Sequence, residues 1–361
     1  MRDAQQPQVS SDGFREIQDS IYREKVLRAR SLASAWSHPL IAGLAILLSL
    51  SGQSRLMASE PGVERHDPRL DQIVSADAAI AVLGQNYSWA EGPVWDAETQ
   101  RLLFSSVPKN RVFAWSTDNG VSGALEPSGH TGFGEPPNPK EDGSNGLAID
   151  GNGQLLLCQH GDRRVARLEK DGTFTTLASH FEGKRLNSPN DLAIGPSGAI
   201  YFTDPRFGLP KGKQSPLKEL EFTGVYRIDP DGTLHLLLDD LLPNGIAFTP
   251  DGKGCYVTDK RRLMRYRVNA AGDLVDGTLF ATLPEEGGWD GLAIDSAGNV
   301  FACNWAGGVF VFAPDGSHLG TIRTGGRTSN CCFGGADGQT LFITAGDELM
   351  AIPVLVGNPS F

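Results

Sequence analysis

No two of the five cysteines stand two residues apart. Cys158, Cys255, Cys303, Cys331 and Cys332 are also odd in number, so neither a disulfide framework nor a zinc-type spacing is present. Four of them fall in or beside apolar, strand-like runs, where cysteine acts as a small buried hydrophobe. Basic charge is scarce. Against 43 Asp and Glu there are 32 Lys and Arg, leaving a net charge of −11, which argues against a nucleic-acid partner because phosphate binding needs a basic surface. No Gly-x-Ser-x-Gly elbow occurs. Ser215-Pro216-Leu217-Lys218 has Ser-x-x-Lys spacing without its companion motifs, and Asp229-x-Asp231 opens like an EF-hand loop that no Glu closes. Between residues 80 and 355 no stretch carries helical periodicity long enough to compete with strands.

Long apolar runs are missing as well. The run from Leu40 to Leu50 is too short to span a membrane, which takes about 20 residues. Before it lie Arg23, Lys25, Arg28 and Arg30, and after it the small-residue end Met57-Ala58-Ser59. That order fits a secretory signal. Residues 1–60 are therefore expected to be a leader and residues 61–361 the functional domain. The expected location is periplasmic or secreted, with no stable membrane anchor after processing; a cytoplasmic protein is the alternative. Oligomeric state is not legible.

Glycine (44) and proline (22) are plentiful, and they punctuate a repeat. A leading polar residue and a short apolar strand are followed by a turn and a second strand. This happens at Glu91-Gly92-Pro93-Val94-Trp95, Asn145-Gly146-Leu147-Ala148-Ile149 and Asn190-Asp191-Leu192-Ala193-Ile194. It recurs at Asn244-Gly245-Ile246-Ala247-Phe248, Asp290-Gly291-Leu292-Ala293-Ile294 and Asn330-Cys331-Cys332-Phe333. The leading residues are separated by 54, 45, 54, 46 and 40 positions, close to the period of about 40–50 expected of propeller blades. Turn signals such as Pro196-Ser197-Gly198 and Pro250-Asp251-Gly252 close the hairpins. Four short strands per unit and six units predict an all-β, six-bladed propeller.

The innermost strand of each blade lines the central channel, so the six leading residues should face one another. Glu91, Asn145, Asn190, Asn244, Asp290 and Asn330 all carry side-chain oxygen. Gathering them in a buried channel without a partner would cost kcal/mol per group. A hard divalent cation supplies that partner. Ca²⁺ takes 6–8 oxygen ligands and suits the mixture best; zinc is disfavoured by the lack of His or Cys in the ring, and Zn²⁺, Mg²⁺ and Mn²⁺ stand as alternatives. For any one Asn or Asp, local capping of the backbone is the competing explanation.

At these residues the chain resembles the gluconolactonase/regucalcin (senescence marker protein) family of lactone hydrolases, its bacterial gluconolactonase branch above all. Tyr87 to Trp95, Cys158-Gln159-His160-Gly161-Asp162-Arg163-Arg164-Val165, Ser188-Pro189-Asn190-Asp191, Tyr201-Phe202-Thr203-Asp204-Pro205, Leu242-Pro243-Asn244-Gly245 and Trp289 to Asp295 carry the likeness. The resemblance implies a divalent metal held by Glu91, Asn244 and Asp290, with Asn190 at the metal or on the substrate, and Asp290 as general base. One departure stands out: regucalcin-type members carry Arg where this chain has Ser188.

The activity so implied is hydrolysis of a small-molecule sugar lactone such as glucono-1,5-lactone. Asn145, Asn190 and His160 are the expected substrate contacts, although a lone histidine more often serves structure. Two other readings use the same features: a paraoxonase-like hydrolase of organophosphates or aryl esters on the same metal site, and a non-enzymatic ligand-binding propeller. The acidic ring speaks against the second, since a scaffold has no need of it.

Overall fold

A computed structural model describes residues 60–134, 138, 140–283 and 286–357; residues 1–59 of the leader reading lie outside the described residues. Ala58–Phe361 form one compact unit. The hairpin turns close where glycine permits positive φ: Gly153, Gly198, Gly252 and Gly338 sit at +75°, +78°, +65° and +71°. Among the described residues the only helical pieces are 3₁₀ turns, at Pro68–Gln72, Val107–Lys109 and Gly212–Gln214.

All but two of the described strands assemble into six antiparallel blades, and His180–Phe181 and Lys184–Arg185 pair as a separate two-stranded ribbon. Their inner strands are Ala90–Asp96, Ser144–Ile149, Leu192–Ile194, Pro243–Phe248, Trp289–Ile294 and Thr328–Gly334, and each pairs with the strand that follows it in the chain. Blades 1 to 4 are contiguous in sequence, as the repeat predicts. The other two borrow strands from the N-terminal side. Ala81–Gly84 supplies the outer strand of blade 6, with Ala81 opposite Ala351, and Gly62–Arg65 adds a fifth strand to blade 5, with Val63 opposite Ile322. Both segments are four residues long and have no hairpin turn, so nothing in the repeat announces them.

The apolar core is divided into six wedges, one between each pair of neighbouring blades. Leu103 and Leu157 meet between blades 1 and 2, Leu156 and Phe202 between blades 2 and 3. Tyr201 packs edge-on to Phe248 between blades 3 and 4 at 4.7 Å, and Phe301 to Phe333 between blades 5 and 6 at 5.0 Å. Trp95 stacks on Phe342 where blade 1 meets blade 6, at 5.6 Å. Each wedge buries the two sheet faces flanking it, so hydrophobic burial holds neighbours together around the whole ring.

Hydroxyls on the second strands stitch the ring near its axis. Ser105 Oγ donates to Asn145 O (2.8 Å), Thr203 Oγ1 to Asn244 O (2.6 Å) and Thr258 Oγ1 to Asp290 O (2.8 Å). Each bond runs from one blade to the leading residue of the next. Cys158 and Cys303 occupy the same register in blades 2 and 5, fully buried and free, so two of the cysteines read as small hydrophobes stand in a row of small polar side chains.

Candidate active site

In five blades the ladder slips at the leading residue: between Glu91 and Val94, Ser144 and Leu147, Pro243 and Ile246, Trp289 and Leu292, and Thr328 and Asn330. In blade 3, Asn190 precedes the inner strand, and its N–H is tied to Thr203 O at 2.8 Å. Such bulges peel the backbone from the hairpin and re-aim a side chain. The inner strands come very close there. Gly92 has φ of +52°, and a Cβ on it would lie 2.2 Å from Asn145 O, so only glycine fits behind Glu91.

All six leading residues are buried, between 2% and 6% exposed. Glu91, Asn190, Asn244 and Asp290, from blades 1, 3, 4 and 5, line one cavity of about 390 Å³. Trp89, Glu141, Arg206, Phe207, Trp305 and Arg327 complete most of its wall. These six come from the connectors entering the inner strands and from the loops after the second strands, which share one end of the channel. The repeat is blind to such segments because they differ from blade to blade. Trp89 falls in the stretch Tyr87 to Trp95 that carries the family likeness, whereas Arg327 and Trp305 are signalled by adjacency alone: Arg327 lies just ahead of Asn330, and Trp305 directly follows the strand Val300–Asn304.

Two expected substrate contacts are placed otherwise. Asn145 is not on the cavity wall; its Nδ2 is buried without a partner among the described residues. The His160 side chain is fully buried. Its Nδ1 lies 3.1 Å from Glu141 Oε2 and its Nε2 3.4 Å from Asn190 Nδ2. With the Nδ1 proton donated to Glu141, Nε2 accepts from the Asn190 amide and leaves Asn190 Oδ1 for the channel. His160 thus orients a ring member.

The electrostatics of the ring favour a cation. Burial pushes Glu91 well above the usual carboxylate range, and the charge of Asp290 adds to this. Asp290 is pushed up to about 7 by burial, against the opposing hydrogen bond from Trp305 and the charge of Arg327. Asp191, the residue after Asn190, is likewise pushed up to about 7 by burial. Carboxylates so placed are costly to ionise unless a positive charge joins them. Among the described residues no three of His, Cys, Asp and Glu form a metal-holding group, so a cation here would draw on amide oxygens beside Glu91 and Asp290. Oxygen-only donors with two carboxylates and two amides are the chemistry of a hard divalent ion.

Fold and cavity together define a six-bladed propeller with a pocket of carboxylates, amides and aromatic rings at one mouth of its channel. Residues 89–347 match the family model described as "SMP-30/Gluconolactonase/LRE-like region". The chain belongs to this family of lactone hydrolases. It is 38% identical over 309 residues to the gluconolactonase of Zymomonas mobilis, covering 80% of this chain and 85% of that one. A solved gluconolactonase, XC5397 from Xanthomonas campestris, superposes with a TM-score of 0.72 at 35% identity, covering 82% of this chain and 95% of that one. The calcium-binding regucalcin of Agrobacterium tumefaciens shares the fold at a TM-score of 0.64 and 21% identity, covering 78% of this chain and 95% of that one.

Proposed function

We propose that the protein hydrolyses a sugar lactone such as glucono-1,5-lactone to its aldonic acid, with a divalent ion, Ca²⁺ by preference, in the channel. The observation that carries this reading is the convergence of Glu91, Asn190, Asn244 and Asp290 on one cavity, two of them buried carboxylates held above their usual range. Family membership supplies the lactone.

Glu91, Asn190, Asn244 and Asp290 would hold the ion, which when bound supplies a Lewis acid for the lactone carbonyl. Trp305 Nε1 donates to Asp290 Oδ2 and fixes the carboxylate plane. Asp290 then takes a proton from water as the water oxygen bonds to the carbonyl carbon. As the ring C–O bond breaks, that proton passes to the departing alkoxide, giving the open-chain acid. Burial raises Asp290 toward the range where it can both accept and return a proton, and an adjacent cation acts in the opposite sense.

Hydrolysis of a panel of aldonolactones with and without Ca²⁺ tests the reading. Turnover that requires the ion is expected. Equal rates after exhaustive chelation would remove the metal from the proposal, and no turnover of any lactone would remove the activity.

A further inference from the structure

Ser188 stands where regucalcin-type relatives carry an arginine, and its surroundings show that this position offers nothing to the channel. The residue is fully buried. Its Oγ donates to Pro205 O (2.7 Å) and accepts from Gly208 N (3.0 Å). Position 188 therefore anchors the loop after the second strand of blade 3. A cation that grips the sugar must come from elsewhere on the cavity wall, where among the described residues the cationic side chains are Arg206 and Arg327.

The two differ in how they are held. Arg327 enters blade 6 with its guanidinium carbon 4.9 Å from the ring centre of Trp305 and 5.4 Å from that of Trp89. Two indoles from blades 5 and 1 thus fix the guanidinium while leaving its N–H groups unspent. Among the described residues Arg327 has no hydrogen-bond or ion-pair partner, and it is exposed toward the mouth. Its charge is felt at Asp290, and Trp305 touches both residues. Arg206, on the opposite blade, has no such aromatic clamp among the described residues.

We propose that Arg327, clamped between Trp89 and Trp305, is the substrate-orienting residue of this pocket and donates hydrogen bonds to oxygen atoms of the lactone beyond its reacting carbonyl. This rests on the lactonase reading above. A planar guanidinium suits the task because it stacks and donates in a fixed fork, whereas an ammonium does neither. The oxygens it meets are either sugar hydroxyls or an additional acidic group, and both accept.

The test uses the full chain loaded with Ca²⁺, comparing unaltered protein, Arg327→Ala and Arg327→Lys on glucono-1,5-lactone and on an acidic lactone, glucaro-1,4-lactone. For Arg327→Ala, kcat/KM should fall on the order of 10- to 100-fold, mostly through KM, with Ca²⁺ affinity by calorimetry within about threefold of the unaltered protein. Arg327→Lys should recover little of the loss. A larger drop for the acidic lactone assigns the contact to its carboxylate, and equal drops assign it to hydroxyls; either upholds the proposal. Native kcat/KM in Arg327→Ala overturns it while the lactonase reading stands. A loss confined to kcat also overturns it, since Arg327 would then act through Asp290. If the unaltered protein turns over no lactone, both readings fall together.

Discussion

The indole N–H of Trp305 is spent on Asp290 Oδ2, while the face of the same ring carries Arg327 at 4.9 Å. One side chain therefore steadies the proposed base and the proposed substrate grip. Trp305→Phe separates the two jobs, since it keeps an aromatic face and deletes the donor. A hydrogen bond to a charged group contributes about 1.5–3 kcal/mol, so kcat should drop roughly tenfold or more with KM little changed. The lost bond had been pulling Asp290 down; its removal raises that group further, and the acidic limb of kcat/KM should move to higher pH. A native rate profile in this variant would show the contact to be idle.

Asp290→Asn keeps one oxygen at the channel and loses the ability to accept a proton. If Asp290 is the general base, kcat should fall roughly 10²–10⁴-fold and stay low when Ca²⁺ is raised to full occupancy. Asn244→Asp serves as a control that adds charge at a ring position without removing the base. Near-native turnover of Asp290→Asn at saturating metal would reduce Asp290 to a ligand.

Glu91 carries the other carboxylate on the cavity wall. Glu91→Ala should weaken Ca²⁺ binding by orders of magnitude in a calorimetric titration, and activity should follow occupancy. Unchanged Ca²⁺ affinity would refute the ring assignment.

The six blades, and the four leading residues that line the cavity, were legible because they obey a period. A polar residue, a strand and a tight turn recur in every blade, with a bulge in five of them, and each inner strand lands where its repeat puts it. His160 shows where periodicity stops informing. It follows a second strand just as Trp305 does, yet it turns into the wall toward Glu141 and Asn190 while Trp305 faces the cavity. Which way such a residue points depends on the loop packed over it. For His160 that loop includes Gly208, where a Cβ would lie 2.8 Å from His160 Cγ and from Ser188 Cβ. The closing strand Ala81–Gly84 escaped for a different reason: its partner is at the far end of the chain and its sequence is too short to show alternation.

Gly208→Ala follows directly from that packing. The added methyl must move His160 or lift the blade 3 loop that carries Arg206 and Phe207. Overpacking of this kind costs about 1–3 kcal/mol, so the melting temperature should fall by several degrees. KM should rise as well, because Asn190 loses its fixed partner. Thermal unfolding and steady-state kinetics on one preparation check both, and an unchanged KM would detach the loop from substrate binding.

Ala81 lies opposite Ala351, so the seam of blade 6 joins an early strand to the last of the described strands. Bringing such distant segments together carries a loop-closure cost that local hairpins do not. During synthesis blade 6 cannot be finished until residues beyond Glu348 have emerged, and meanwhile Ala81–Gly84 has no partner and the growing stack of blades has an open edge of the sort that recruits other chains. Completion of the ring is thus a property of the whole polypeptide. A chain cut short before Glu348–Pro353 would retain most of its hairpins and yet leave blade 6 without the strand that joins its own hairpin to Ala81–Gly84.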